Sequence, residues 1–336
     1  MSAGVAGIVA NPASGRDIRR LVAQASVFPT AEKANMVQRL LAAFAIAGVD
    51  KTLVSTDLGG ISAAVHRQLQ KEPRPGVEFC DKDPITGTAQ DTINAVQRMV
   101  DAGAGVIVCL GGDGTARTAA KVSGDVPILA LSTGTNNAFP HMREATVAGL
   151  AAGLIASNQV DPDLVTQRVS KLEVVTKNRR EIALVDVAVT LSKHVGAKAL
   201  WDPAALTELY CTFAEPDGIG LSSIAGQLCP SPRSSADGVA LQLGPVGVTP
   251  HVVHAPIAPG LVKPVGVRGW GVLKQGMRVD LAAGGGVIAV DGERELELNP
   301  GDNAYVELRA DGPWCVDVRA TMAEAAREGL LRTKTE

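Results

Sequence analysis

A short apolar run that ends in a glycine-rich turn most constrains how this chain folds. Val106 to Leu110 are typical of a buried strand, Gly111-Gly112-Asp113-Gly114-Thr115 of a tight turn, and residues 116–122 of a helix. Such a turn exposes backbone N–H groups at a helix N-terminus, where phosphate binds favourably. Glycine also lets the backbone approach a ligand closely and adopt positive φ. The carboxylate of Asp113 suits Mg²⁺ binding or proton abstraction there, although it could simply cap the helix.

Strand-like and helix-like segments alternate along the first half of the chain. This alternation predicts a doubly wound, Rossmann-like parallel sheet in an α/β nucleotide-binding domain, residues 1–160. After about residue 165, short strands are separated by turn pairs such as Asp291-Gly292. That pattern predicts an all-β substrate domain, a β-sandwich, over residues 165–318. A final helix, within residues 319–336, is expected to pack back on the first domain.

Three unusual loops follow predicted strands of the first half, at residues 11–15, 111–115 and 132–137. The carboxyl ends of parallel strands meet at one edge of a sheet, where ligands bind. The sequence therefore predicts that the three loops form one site. Asn11-Pro12 is also an ordinary turn starter, and Ser14 could cap the next helix.

The motif Gly111–Thr115 resembles the signature of the superfamily that joins NAD kinases, diacylglycerol kinases and sphingosine kinases. Residues 11–15 resemble its NPxSG loop. Within the superfamily, Asn11–Arg20, Ser132–Pro140 and Ser222–Gln227 look most like the acetoin catabolism protein X group. The resemblance implies that ATP is bound by Asn11, Pro12, Ser14, Gly15, Arg16, Gly111, Gly112, Gly114, Thr115, Thr133, Gly134, Thr135, Asn136 and Asn137.

The resemblance makes Asp113 the catalytic residue, as the base or the metal anchor. Asn137 stands where the lipid-kinase branch often has Asp. An amide can bind a ligand but cannot act as a base, so Asp113 is the residue expected to act in catalysis. The loop around Asn137 could also be a turn held by local side-chain hydrogen bonds.

Two later segments resemble substrate-binding parts of NAD kinases. Asp186 matches the acidic residue of one segment, although Val185 replaces its Asn. Asp217, Ser222 and Ser223 align loosely with the other. The resemblance implies that these four residues contact the substrate; a solvent-facing strand at Asp186 and a plain loop at 217–223 are the alternatives.

Asp291-Gly292-Glu293 follows a valine-rich strand and matches the DGE of the lipid-kinase branch. If the segment is extended, Asp291 and Glu293 project to one face and could hold Mg²⁺ together with Asp113. Asp-Gly is equally a common hairpin turn.

Composition excludes several classes of function. The 336-residue chain has a net charge of −3, with acidic and basic residues interspersed, and only 3% aromatic residues. This argues against a nucleic-acid-binding surface. No apolar stretch approaches the ~20 residues that span a bilayer. The five cysteines are scattered without a CxxC pair, as in a reduced, cytoplasmic protein.

We therefore expect an ATP- and Mg²⁺-dependent kinase that phosphorylates a hydroxyl of NAD or a related small molecule. The group's name links it to acetoin catabolism without giving a substrate. One alternative is a lipid or small-polyol kinase of the diacylglycerol kinase type, and another is a nucleotide-binding regulator without turnover. The superfamily resemblance also implies a homo-oligomer.

Overall fold

The computed structural model describes residues 4–15, 22–25, 28–134, 136–191, 199–282 and 284–333. Its strands are β1 (Val5–Ala10), β2 (Lys51–Ser55), β3 (Val77–Cys80), β4 (Val106–Gly111), β5 (Ile128–Ser132), β6 (Thr166–Arg168), β7 (Lys171–Val175), β8 (Arg180–Ala183), β9 (Asp186–Thr190), β10 (Leu206–Cys211), β11 (Gly238–Gly244), β12 (His251–Ala258), β13 (Leu261–Leu273), β14 (Arg278–Asp280), β15 (Gly286–Val290), β16 (Glu293–Leu298), β17 (Tyr305–Arg309) and β18 (Trp314–Val316). Its helices are α1 (Thr30–Ile46), α2 (Ile61–Lys71), α3 (Ala89–Asp101), α4 (Asp113–Ala120), α5 (Ala145–Ala156), α6 (Pro162–Val165), α7 (Ser222–Gly226) and α8 (Val318–Glu328), with a 3₁₀ turn at Pro203–Ala205.

The first sheet is mostly parallel. Among the described residues its strand order is β3-β2-β1-β4-β5-β18-β6, and only the last pair, β18 with β6, is antiparallel. The order of the first five strands places β1 and β4 at the centre, with both faces buried. Strands buried on both faces read as continuous apolar runs, which is why Val106–Leu110 was recognisable from the sequence.

Helices cover both faces of this sheet. Ile8 and Val108 pack on one face in a core that includes Leu40 of α1 and Leu154 of α5. The neighbouring strand residues point the other way, into a core that includes Met99 of α3. The predicted doubly wound α/β class is confirmed.

The second part of the chain forms two antiparallel sheets. In the described residues their orders are β12-β13-β11-β10-β9-β15-β16 and β14-β17-β7-β8. Leu172 and Val306 from the smaller sheet share one core with Val187 and Ile288 from the larger. Two sheets that face each other across an apolar layer form a β-sandwich, as predicted.

The chain's end returns to the first sheet. Val318 and Ala325 of α8 are buried in the core that contains Ile8. The short strands β6 and β18, at the margins of the second part, also pair within the first sheet. The domain limits 1–160 and 165–318 stay a prediction. None of the helices in the described ranges combines the length and apolar composition needed to cross a membrane.

Candidate nucleotide-binding site

A cavity of about 590 Å³ opens at the carboxyl ends of β1, β2 and β4. Its wall comes from both parts of the chain, because Asp291, Glu293 and Glu295 of the β15–β16 hairpin also line it. The lining is drawn from residues 9–15, 55–58, 87–89, 91–92, 112–115, 117–118, 134, 137, 291, 293 and 295. This is the size range of small-molecule sites, and it lies where an open α/β sheet binds its ligand.

Side-chain hydrogen bonds join the three predicted loops. The Asn11 amide donates to the Thr115 hydroxyl at 2.8 Å, linking the loop after β1 to the start of α4. The hydroxyls of Ser14 and Thr133 are 2.8 Å apart, linking the same loop to the one after β5. The structure therefore brings the predicted nucleotide-binding loops together. Arg16 and Thr135, two of the predicted residues, lie outside the described residues.

The loop after β1 turns around a buried lysine that the sequence analysis did not single out. Lys33 of α1 is fully buried, and its ammonium donates to the carbonyls of Asn11, Pro12 and Ser14 at 3.0, 3.2 and 2.9 Å. The carbonyls therefore point into the protein. Because a trans peptide carries its N–H opposite its C=O, this fixes the direction of the loop's N–H groups.

The sequence carried a signal for Lys33. Buried residues of α1 recur at helical spacing, through Val37, Leu40 and Phe44. Lys33 stands at the start of this apolar stripe, where a lysine needs a polar partner.

Asp113 is the first residue of α4, and its carboxylate faces the loop after β5. It accepts hydrogen bonds from the backbone N–H groups of Ala138, at 3.1 and 3.2 Å, and Phe139, at 2.8 Å. These bonds stabilise the ionised carboxylate and fix its orientation at the cavity wall. Capping of α4, the alternative from sequence, does not apply, because the cap residue is Gly112.

The glycines of the turn serve close packing. Gly112 has φ −106°, Gly111 ends β4 and Gly114 is helical, so the expectation of positive φ is wrong. A Cβ on Gly112 would lie 2.7 Å from the Asn137 Oδ1, and one on Gly134 would lie 2.6 Å from the Asn137 Nδ2. The Asn137 side chain therefore occupies a space that two glycines leave open.

Asn136 and Asn137, which follow β5, make different contacts. Asn137 donates to the Ser132 hydroxyl at 2.8 Å and lines the cavity. Asn136 is buried and donates to the Ile257 carbonyl of β12, which ties the loop to the second part of the chain.

Asp291 and Gly292 form the two-residue turn between β15 and β16. Their φ values are +50° and +72°, as in a type I′ hairpin. The extended segment assumed for a shared metal-binding face is therefore wrong. The Asp291 carboxylate has no exposed side-chain surface and accepts from the N–H groups of residues 184–186 at 2.8–3.3 Å.

Arg117 connects α4 to this hairpin. Its buried guanidinium donates to the Val290 carbonyl at 2.6 Å and to Glu295 at 3.0 Å, and it lies 3.9 Å from Asp291 and 3.7 Å from Glu293. Burial acts to lower the pKa of Arg117, but these carboxylates outweigh it and raise that pKa. The cation therefore holds three acidic side chains at the cavity wall.

Burial, with a smaller contribution from the nearby charge of Asp113, raises the pKa of Asp291 to about 6 against the opposing pull of Arg117. Glu293 differs, because its side chain is 34% exposed and lies over Gly114 at the start of α4. In the described part of the chain, no three His, Cys, Asp or Glu side chains converge to hold a metal ion. All three predicted metal ligands line the cavity, but the carboxylates of Asp113 and Asp291 accept hydrogen bonds from backbone N–H groups, and the Asp291 side chain is fully buried while that of Glu293 is 34% exposed.

The predicted substrate residues are not brought to this cavity. Among the described residues, its lining includes none of Asp186, Asp217, Ser222 and Ser223. Asp186 is buried in the larger β-sheet, paired with Cys211. Ser222 and Ser223 are buried in α7, and Asp217 is exposed.

Two further segments of the lining were not predicted. Asp57 accepts from the N–H groups of Ile61 and Ser62 and so begins α2. Asp91 accepts from the N–H groups of Thr86 and Gly87 before α3. Both carboxylates therefore hold backbone N–H groups at helix starts beside the cavity.

Two sequence-family models match different parts of the chain. The sequence model of the ATP-NAD kinase N-terminal domain matches residues 7–159, and that of the acetoin catabolism protein X C-terminal domain matches residues 170–311. Acetoin catabolism protein X of Cupriavidus necator is 42% identical over 339 residues, covering 98% of this chain and 94% of that protein. The chain belongs to the acetoin catabolism protein X family.

Solved structures resemble this family member only distantly. A diacylglycerol kinase-like protein from Bacillus anthracis str. Sterne is 11% identical with a TM-score of 0.45, covering 94% of this chain and 98% of that one. An NAD kinase from Archaeoglobus fulgidus, in complex with ATP, is 14% identical with a TM-score of 0.38, covering 98% and 100%.

Proposed function

We propose that the chain is an ATP-dependent kinase that phosphorylates a hydroxyl of NAD or a related small molecule. One observation carries the proposal: three loops at the carboxyl edge of the first sheet are joined by direct hydrogen bonds around one cavity that also holds the Asp113 carboxylate. The match of residues 7–159 to an ATP-NAD kinase domain supports the same reading.

The ATP phosphates would lie between the loop after β1 and the first turn of α4. Helix dipole and backbone N–H groups favour negative charge there. In the transfer, the acceptor oxygen forms a bond to the γ-phosphorus while the bond from that phosphorus to the β–γ bridging oxygen breaks. The acceptor proton passes to the Asp113 carboxylate, and ADP leaves. Catalysis is then largely positioning and charge stabilisation.

Mg²⁺ fits this site as a partner of the ATP phosphates. A phosphate-bound Mg²⁺ needs only one or two protein carboxylates, and Asp113 and Glu293, which line the cavity, would supply its oxygen ligands. The ion would neutralise phosphate charge. Asp291 and Arg117 would support the hairpin that carries Glu293.

We take NAD as the first candidate acceptor because residues 7–159 match an ATP-NAD kinase domain. No cavity contact supports a substrate role for Asp186, Asp217, Ser222 or Ser223, and the family name points to acetoin catabolism. A cytoplasmic location and a homo-oligomer remain expectations.

The test is Mg²⁺-dependent ADP release from ATP with NAD, acetoin, butanediol, glycerol and diacylglycerol offered separately, and with product identification by mass spectrometry. NADP formed from NAD supports the full proposal. A phosphorylated product from another acceptor retains the kinase and replaces the substrate. If calorimetry shows ATP binding but no acceptor causes ADP release from ATP, the kinase function is refuted. The chain would then be a nucleotide-binding regulator.

A further inference from the structure

An arginine from the second part of the chain reaches the peptide groups that hold Asp113. Arg233 lies between α7 and β11, and its guanidinium donates to the carbonyl of Ala138 and, at 2.5 Å, to that of Phe139. The N–H groups of Ala138 and Phe139 are the donors to the Asp113 carboxylate. Two charged groups therefore meet at the same short stretch of backbone.

One peptide unit joins the two charges directly. The carbonyl of Ala138 and the N–H of Phe139 belong to the same trans peptide and point in opposite directions. Arg233 binds the carbonyl, and Asp113 accepts from the N–H at 2.8 Å. A donor on the carbonyl polarises the peptide and strengthens hydrogen bonding by its N–H. Arg233 therefore strengthens a hydrogen bond to the Asp113 carboxylate and fixes its direction without touching Asp113.

Arg233 is itself held in place. Its Nε donates to Glu215 at 3.2 Å, and its guanidinium lies 4.5 Å from the centre of the Phe213 ring. A guanidinium fixed on three sides can direct two donors at adjacent carbonyls, which the single ammonium of a lysine cannot reproduce.

We propose that Arg233 is a positioning residue for Asp113: it orients and polarises the 138–139 peptide that aims this carboxylate into the cavity. The catalytic consequence rests on the proposed kinase function. The effect on the Asp113 carboxylate does not, because it follows from the hydrogen bonds alone.

The first test compares Arg233→Gln and Arg233→Lys with a control, Arg168→Gln. Arg168 also donates to a backbone carbonyl, that of Gly312, and lies 5.5 Å from a Trp314 ring, outside the cavity lining. We expect kcat to fall roughly tenfold in Arg233→Gln, with KM for ATP within about twofold, and partial recovery in Arg233→Lys. Equal losses in Arg168→Gln, or a loss confined to KM, would overturn the proposal.

The second test needs no turnover. Amide hydrogen exchange of Phe139, whose N–H donates to the Asp113 carboxylate, is measured by ¹⁵N NMR in the wild type, Arg233→Gln and Arg168→Gln. Exchange of this N–H should be several-fold faster in Arg233→Gln, because its peptide is no longer held and polarised at the Ala138 carbonyl, and unchanged in Arg168→Gln. An unchanged rate in Arg233→Gln, or an equal change in Arg168→Gln, overturns the inference. Faster exchange in a protein without ADP release supports it and refutes only the kinase function.

Discussion

Replacing Lys33 by Met tests whether the buried ammonium builds the loop after β1. The substitution keeps a long side chain but removes the hydrogen bonds that the ammonium donates, which in the described ranges include those to the carbonyls of Asn11, Pro12 and Ser14. A hydrogen bond from a charged group contributes about 1.5–3 kcal/mol. The loop residues are only half-buried, so water can reach part of the released carbonyls, and methionine avoids the desolvation cost of a charge. We expect a net loss of about 3 kcal/mol in the free energy of unfolding.

The matched control is Arg39→Met on the same helix. Arg39 is 39% exposed and pairs with Glu32 at the surface, so its loss should cost less than about 1 kcal/mol. Urea unfolding of both variants and the wild type, followed by circular dichroism, measures the difference. Equal destabilisation of the two variants, or a loss of under about 1 kcal/mol in Lys33→Met, would refute the reasoning. Calorimetry with ATP should also show weaker binding by Lys33→Met alone.

Two further predictions concern the hairpin and the glycine turn. Burial raises the pKa of Asp291 to about 6, so the stability that its protonated form contributes is complete below about pH 4 and is lost as pH rises through 6. The unfolding free energy of the wild type, measured in urea relative to Asp291→Asn, should therefore fall by up to about 3 kcal/mol between pH 4 and 7, and a pH-independent difference would contradict this. Gly112→Ala places a Cβ 2.7 Å from the Asn137 Oδ1 and should weaken ATP binding about fivefold by calorimetry. Most of the loss in ATP affinity should vanish when Gly112→Ala is made in an Asn137→Ala background. If the effects of the two substitutions on ATP affinity simply add, the clash between the new Cβ and Asn137 is not the cause.

Much of the fold was predictable because it depends on local patterns. Apolar runs such as Val106–Leu110 and the amphipathic segments between them define strands and helices, and parallel strands bring their carboxyl ends to one edge. The three loops at residues 11, 111 and 132 could therefore be assigned to one site without knowing any contact. The pairing of β6 with β18 was not predictable, because two three-residue strands far apart in sequence carry almost no pattern.

The residues of the candidate site also differ in whether the sequence could predict them. Lys33 was accessible to sequence reasoning, since it stands on the apolar stripe of an amphipathic helix. Arg233 was not, because it lies in an irregular segment and its partners are backbone groups about 95 residues away. The sequence allowed either a hairpin turn at Asp291-Gly292 or an extended metal-binding segment, and the positive φ values of these two residues show that it is a turn.

The central claim is that this cavity transfers a phosphoryl group with Asp113 as its essential carboxylate. The most direct measurement is ADP release from Mg²⁺-ATP, with each candidate acceptor, by the wild type, Asp113→Asn and the control Asp317→Asn. Asp317 caps α8 away from the cavity, and Asn serves well as a cap. The account predicts acceptor-dependent ADP release by the wild type and Asp317→Asn, and a loss of at least about 100-fold in Asp113→Asn with ATP still bound. Near-normal turnover in Asp113→Asn, or no acceptor-dependent turnover in the wild type, would contradict it.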